Sequence, residues 1–553
     1  MYSSTTPIFS ADRRVISLTR AIFILLAALT ASACNEPGNG ASAMATPDPL
    51  TIDTYQGQLR GYWANESRQI RGFKGIPYAR PPIGDLRWRP PQAAQNWQGV
   101  RQATEPGPAC WQPTRVEQFV WSRGAFKPSE DCLYLNIWSA ASADDPAPVM
   151  VWFHGGAHTG GMGHDRIFDG TRLAEHGVVV VTINYRLGPF GFLAHEALVD
   201  ESDHDSAGNY GLLDKIAALN WVRDNIPQFG GDPANVTVFG QSAGSQSVCA
   251  LMASPLARGL FHKAIGQSAA CVDAMPSKDE AGLERGSALI EALDGATNLA
   301  AMRAATPQQI MQAAEASNWA SASRIVTDGW ILPKSPDAIY AAGEQTQIPL
   351  LLGYLSNEGY LLFPLNEQLD QEGLRSYTQR IAGDQADALL LNYSNALAVS
   401  PGLTQREIAT DLFMAYGMHR WATHHERSGQ PTYLYYMDHK PPAFRLYVPD
   451  NPDLELAGGP RSAGAYHSGD LAYVFANTRL VGVDWQNEDH ALSEQIAQYW
   501  TNFARTGNPN GAGLPQWPAF GMRNTMVLQE AGSHVQQDIK REILAAWDQR
   551  FSN

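Results

Sequence analysis

From Leu50 onward the apolar positions follow two alternating rhythms. The stretch "LTIDTYQGQLRGYW" alternates apolar and polar residues around a Gly-bearing turn, which predicts an antiparallel hairpin. "DCLYLNIWS" and "VTVFG" read as further strands, and "APVMVWFHGG" is an apolar run ending in two glycines. "GVVVVTINYR" is almost continuously Val/Ile, as expected of a strand covered on both faces. "KAIGQS" and "IPLLLGYLSN" continue the series. Between them the period changes. "YGLLDKIAALNWVRDNI" carries Leu212, Leu213, Ile216, Leu219 and Val222 at spacings of three and four, which predicts an amphipathic helix. "SAGSQSVCALMAS" and "EQIAQYWTNFART" also read as helices, the second stopped by "GNPNG".

Strands alternating with helices predict an α/β fold, a large, mostly parallel central sheet flanked by helices. Residues from about 275 to 470 read as mostly helical with Pro-rich breaks, as insertions between the later strands that lie over an active site. No stretch within 50–550 has the composition of a linker, so residues 50–553 are expected to form a single domain.

The N-terminus follows neither rhythm. Arg13, Arg14 and Arg20 precede "AIFILLAALT", and the small residues "ASAC" follow. Basic, apolar and small in that order predicts a signal peptide over residues 1–33, and the apolar run is too short to span a bilayer. Cleavage after Ala33 would leave Cys34 first, and the site resembles the lipobox of bacterial lipoproteins, with Ala31 where Leu is usual. A lipid on Cys34 would tether the chain to a membrane, in the periplasm or at the outer membrane; the alternative is plain secretion. Residues 34–49, small, polar and Pro/Gly-rich, read as a flexible tether.

Composition narrows the function classes. The 553 residues are 44% hydrophobic and include 15 Trp, 20 Tyr and 19 Phe, ample for a large core. A net charge of -15 repels phosphate backbones and argues against nucleic acid as a partner. Of five cysteines, four remain if Cys34 is lipidated, an even number that suits an oxidising compartment. Four allow three connectivities, among which Cys110 with Cys132 and Cys249 with Cys271 closes two loops of similar size; the bland reading is free buried thiols.

The chemistry centres on "GQSAG", residues 240–244. Ser242 falls between a buried strand and a helix, where a sharp turn exposes the hydroxyl and demands small neighbours such as Gly240 and Gly244. A serine needs a base held by a third group. In the chain order serine, acid, histidine, Glu358 follows the strand "LLGYLSNEGY" and His467 lies in "GAYHSGDLAYVF". Periodicity alone does not choose them among 14 histidines, and Asp470 or Asp438 could equally be the acid. Glycines two or three residues to either side of His467 suggest a mobile, exposed imidazole. "VWFHGGAHTGGMGH" offers an oxyanion turn, with Gly156 and Ala157 donating beside Ala243. Its rival readings are weaker. His154, His158 and His164 have no carboxylate or cysteine at metal-ligand spacing, and no phosphate-loop motif is present.

These stretches, together with "RGFKGIPYARPPIGDLRW", "SEDCLYLNIW", "INYRLGPFGFL" and "YWTNFARTGNPNG", resemble the type-B carboxylesterases across residues 50 to 525. That family includes bacterial para-nitrobenzyl esterases and is related to cholinesterases. The resemblance implies an α/β-hydrolase fold and hydrolysis of a small to medium carboxylic ester through an acyl-enzyme, with no cofactor and no metal. It implies Ser242 as nucleophile, Glu358 as acid, His467 as base, and Gly156, Ala157 and Ala243 as oxyanion donors. It puts Cys110 and Cys132 in the family's first disulfide, while Cys249 departs from the second. Gln241 stands where many members have Glu, and His158 where Phe is common, which puts a titratable group near the acyl or alcohol pocket. Trp111 and Trp121 lie where a cholinesterase-like cation site would be, although packing under the loop is the blander role.

Overall fold

The computed structural model describes residues 48–552 apart from 115–116, 125, 143, 273–274, 294–295 and 320–324. The expected signal peptide, Cys34 and most of the expected tether lie outside the described residues.

The first hairpin forms as its alternation predicts: Thr51–Thr54 (β1) pairs antiparallel with Gly57–Arg60 (β2). β2 also takes Val100–Gln102 (β5) in parallel, so this hairpin builds a small sheet of its own. Between them, Tyr62–Asn65 (β3) and Ile70–Pro77 (β4) enter the main sheet. A short pair, Ala109–Cys110 (β6) and Pro128–Ser129 (β7), closes the base of the next loop. The main sheet continues with Tyr134–Ser139 (β8), Ala147–Phe153 (β9), Val179–Ile183 (β10), Gly231–Gln241 (β11) and Lys263–Gln267 (β12). It ends with Leu350–Leu355 (β13), Thr432–Met437 (β14), Asn524–Leu528 (β15) and His534–Gln537 (β16).

These eleven strands are ordered β16-β15-β14-β13-β12-β11-β9-β10-β8-β4-β3. Pairing is parallel from β10 through β9 to β15. It turns antiparallel only at the two ends, among β10, β8, β4 and β3 and between β15 and β16. β11 is longer than "VTVFG" suggested, because its register shifts between Gly231 and Val236 and pairing resumes before the shift.

The sheet divides the core into two layers by simple alternation. Val149, Val151 and Phe153 of β9 join a cluster with Leu219, Val222, Val248 and Trp421. Met150 and Trp152 face the opposite cluster, with Ile496, Trp500 and Phe503 of the helix Asn487–Thr506. A strand covered on both faces needs apolar residues at every position, which explains the Val run of β10.

The helix Tyr210–Asn225 buries its predicted apolar stripe and, beyond it, Asp214 and Lys215. Asp214 accepts a two-pronged contact from Arg186, at 2.8 Å from Nε and 2.7 Å from Nη2. Lys215 Nζ sits 3.1 Å from the centroid of the Tyr185 ring and donates to the Gly211 carbonyl. Asp214 and Lys215 therefore face the segment that follows β10, not water, whereas Arg223 and Asp224 stay exposed. Tyr185 in turn donates to the His154 carbonyl at 2.7 Å, so this helix supports the glycine-rich turn from below.

Candidate active site

β11 ends at Gln241, and the helix Ala243–Ala253 begins two residues later. Ser242 makes the reversal at φ 56° and ψ -125°, a conformation a non-glycine residue rarely adopts. Its N–H donates to the Gln267 carbonyl of β12 at 2.8 Å, and its carbonyl accepts from Gln246. The reversal requires glycine on both sides. A Cβ on Gly244 would lie 1.9 Å from the Phe153 carbonyl oxygen, and one on Gly240 2.5 Å from the Gly244 carbonyl carbon. The Ala243 amide opens the helix, where no intrahelical acceptor exists and the positive end of the helix dipole lies.

The glycine-rich turn lies directly against this elbow. A Cβ on Gly155 would sit 2.8 Å from the Gln241 carbonyl oxygen and 3.1 Å from Ser242 Cβ. Gly156, Ala157 and His158 follow with φ of 108°, 54° and 56°. Successive residues of this kind turn amides toward one side, and neither the Gly156 nor the Ala157 amide donates a hydrogen bond among the described residues.

His467 and Glu358 meet at 2.5 Å, Nδ1 to Oε2, although 109 residues separate them in sequence. Glu358 is sealed from solvent, and its other oxygen accepts the Leu355 amide at 2.8 Å. The loop bearing His467 is pinned beside it, because Asn357 Oδ1 accepts the Ala465 amide at 3.0 Å. The expected mobile, exposed imidazole is thus corrected: His467 is only 3% exposed. The covering group is Trp121, whose ring stacks on the imidazole at 5.5 Å and 18°. Its neighbouring glycines serve close packing instead, Gly464 against Asn357 and Gly469 against Pro441.

With Nδ1–H directed at the carboxylate, Nε2 of the neutral imidazole is an acceptor. The group facing it is Gln241 Nε2, 3.3 Å away and 226 residues earlier, which donates to it. Gln241 Oε1 is buried with no partner. Ser242 Oγ makes no hydrogen bond among the described residues, so the amide of Gln241 holds the lone pair that a serine would use.

The other carboxylates are engaged elsewhere. Asp470 Oδ2 accepts from Gln267 and from the Tyr435 hydroxyl, and burial pushes its carboxyl up to about 6. Asp438 lines a separate polar cavity with Lys440 and Lys540. The three histidines of the turn also separate. His154 Nδ1 donates to the Gly155 carbonyl, and burial holds its imidazole down to about 3. Burial holds His164 down to about 4. His158 Nε2 lies 3.1 Å from Gln246 Oε1, and its ring packs on Phe192. It is therefore buried beneath the turn and does not line the cavity beside it. Among the described residues no three His, Cys, Asp or Glu side chains are grouped to hold a metal ion.

A cavity of about 730 Å³ opens beside Trp121 and Thr159, walled also by Trp111, Phe119, Met311 and Trp319. Both tryptophans of the predicted loop thus face it, and Trp121 also caps His467. Sequence reading missed this stacking, which leaves no periodic signal; it singled out Gln241 as a departure from Glu beside the nucleophile, but not its 3.3 Å contact with His467. Two disulfides brace the site. Cys110–Cys132 closes the loop that carries Trp121. Cys249–Cys271 joins the elbow helix to the segment after β12.

The model of the carboxylesterase family matches residues 48–547. The para-nitrobenzyl esterase of Bacillus subtilis is 35% identical over 86% of this chain and 94% of its own. The medium-chain fatty acyl-CoA hydrolase precursor of Anas platyrhynchos is 33% identical over 92% and 93%. A solved Geobacillus stearothermophilus carboxylesterase superposes with a TM-score of 0.76 at 33% identity, covering 90% of this chain and 100% of that one. A fold with a mixed sheet of this order, a serine elbow at its centre and matches of this extent together make the chain a member of the carboxylesterase family, an α/β-hydrolase that cleaves carboxylic esters.

Proposed function

We propose that Ser242, His467 and Glu358 form the catalytic triad and that Gly156, Ala157 and Ala243 form the oxyanion hole. The observation that carries this reading is the sealed 2.5 Å Glu358–His467 pair beside a strained serine elbow. As Gln241 gives up His467 Nε2, Ser242 Oγ takes its place. Oγ attacks the ester carbonyl carbon while Nε2 accepts the hydroxyl proton. The carbonyl π electrons move onto oxygen, where the three amides receive them; each such donor lowers the barrier by roughly 3 kcal/mol. Collapse expels the alcohol, which takes its proton from Nε2. Water then repeats the sequence on the acyl-enzyme and releases the acid and the serine. Glu358 remains a carboxylate, orienting the ring and stabilising the imidazolium.

The cavity of about 730 Å³, with Trp111, Phe119, Trp121 and Trp319 in its mixed wall, suits small to medium esters. A fluorophosphonate probe should add one equivalent, mapped by peptide mass spectrometry to Ser242. Full activity with Ser242 unlabelled would overturn the assignment.

We also propose that residues 1–33 are removed on export, that Cys34 is lipidated and that 34–49 tether the single domain 50–553. Two disulfides support an oxidising destination. The mass of the mature N-terminal peptide tests this, and an unmodified Cys34 would mean plain secretion.

A further inference from the structure

One cation of the cavity wall has no role in the chemistry above. Arg123 lies two residues after Trp121 and lines the same cavity. Its guanidinium lies flat on the glycine-rich turn: a Cβ on Gly160 would fall 2.0 Å from its Cζ. Gly160 in turn packs on Gly156, its carbonyl oxygen 2.1 Å from where a Gly156 Cβ would stand. Segment 121–123 therefore spans the reaction centre, with Trp121 on the base and Arg123 against the oxyanion turn.

The position of Arg123 is fixed by its backbone. Val120 accepts the Leu446 amide at 2.7 Å, and the Gly124 amide donates to Tyr447 at 3.2 Å. Among the described residues the guanidinium makes no ion pair and donates no hydrogen bond, and its Nε is sealed from solvent without an acceptor. Glu117 and Glu315 share the cavity wall, but neither pairs with it. The Tyr447 phenol acts on it electrostatically, but burial keeps that phenol neutral. A half-buried guanidinium that no carboxylate neutralises is costly, and its planar fork of donors matches a carboxylate edge.

We propose that Arg123 is a specificity residue of the substrate cavity, and that the enzyme prefers esters carrying a second, ionised carboxylate over neutral esters of the same chain length. The inference rests on Ser242 as nucleophile, because it places the scissile carbonyl at the turn that Arg123 covers. The carboxylate can belong to either side of the ester. Half-esters of dicarboxylic acids carry it on the acyl part, and aryl esters of hydroxybenzoic acids on the alcohol part.

The test compares kcat/KM for two pairs: monoethyl glutarate against ethyl valerate, and 4-carboxyphenyl butyrate against phenyl butyrate. In one pair the wild type should favour the anionic member by about tenfold or more. That preference should shrink as NaCl is raised. Arg123→Met should abolish it, whatever the variant does to both esters together, and Arg123→Lys should restore part of it, because it keeps the charge but not the fork. The pair that responds identifies the side carrying the carboxylate. No preference in either pair, or an unchanged ratio in Arg123→Met, overturns the proposal. Failure of the underlying reading looks different: Ser242→Ala would then keep its activity on all four esters.

Discussion

The two sides of the reaction centre are built on different supports. Ser242 and Glu358 stand at the ends of β11 and β13, inside the parallel part of the sheet. Trp121 and Arg123 stand on a loop closed by Cys110–Cys132 and held by a few backbone bonds to residues 446 and 447. On the sheet side, register fixes atoms to within a hydrogen-bond length, and even a methyl group has no room, as Gly244 shows. On the loop side, contacts are between ring faces and tolerate more change. The proposed nucleophile and acid therefore come from the stiffest part of the fold, and the proposed specificity residue from a part free to vary.

This contrast orders the expected effects. Ser242→Ala on the sheet side should reduce ester hydrolysis by at least about 10⁴-fold with an unchanged circular dichroism spectrum; a smaller loss would make another group the nucleophile. Glu358→Gln should cost about 10³- to 10⁴-fold in kcat, because the amide favours the wrong imidazole tautomer. On the loop side, Trp121→Ala should lower kcat only about tenfold, by removing the ring face that stabilises the imidazolium, with a smaller change in KM. A loss as large as that of Glu358→Gln would erase the distinction between the two sides.

Gln241→Glu sharpens it further. A carboxylate beside Nε2 favours the imidazolium, so the acid limb of the kcat/KM profile should move up by about one pH unit. An unmoved limb would show that Gln241 does not face the working base. The smallest effect concerns stability. Asp470, held at about 6 by burial, binds a proton in the folded state that the unfolded chain releases near 4. The stability from that proton is complete below about pH 4 and is lost as pH rises through 6. Relative to wild type, Asp470→Asn should therefore gain stability with pH, by up to about 3 kcal/mol between pH 4 and 8 in denaturant titrations. A difference independent of pH would refute this.

The strand ends were legible because hydrophobic rhythm marks them, and Ser242, Glu358 and Gly156 follow such ends; singling out Glu358 among the carboxylates took the family resemblance. The surroundings of His467 were not. Nearby glycines imply exposure, and nothing local shows that Trp121, from far earlier in the chain, covers the ring. The burial of Asp214 and Lys215 on the helix Tyr210–Asn225 was hidden for the same reason, since the Arg186 and Tyr185 that meet them lie earlier in the chain. Arg123 is one of 40 Lys and Arg residues and carries no local mark. Its significance is an absence of partners, which only three-dimensional structure displays.

The sequence separations across the site bear on how the protein is made. The serine must wait for partners 116 and 225 residues farther along the chain, since Gln241, one residue before it, lies 226 residues before His467, and Glu358 lies 109 before His467. A ribosome that has completed the elbow has therefore made a hydroxyl without a base. Contacts of such span close late, because loop closure precedes their reward. Prematurely terminated products that stop before residue 467 would carry an inert serine, and the growing chain is spared a wandering hydrolase until its fold is nearly complete.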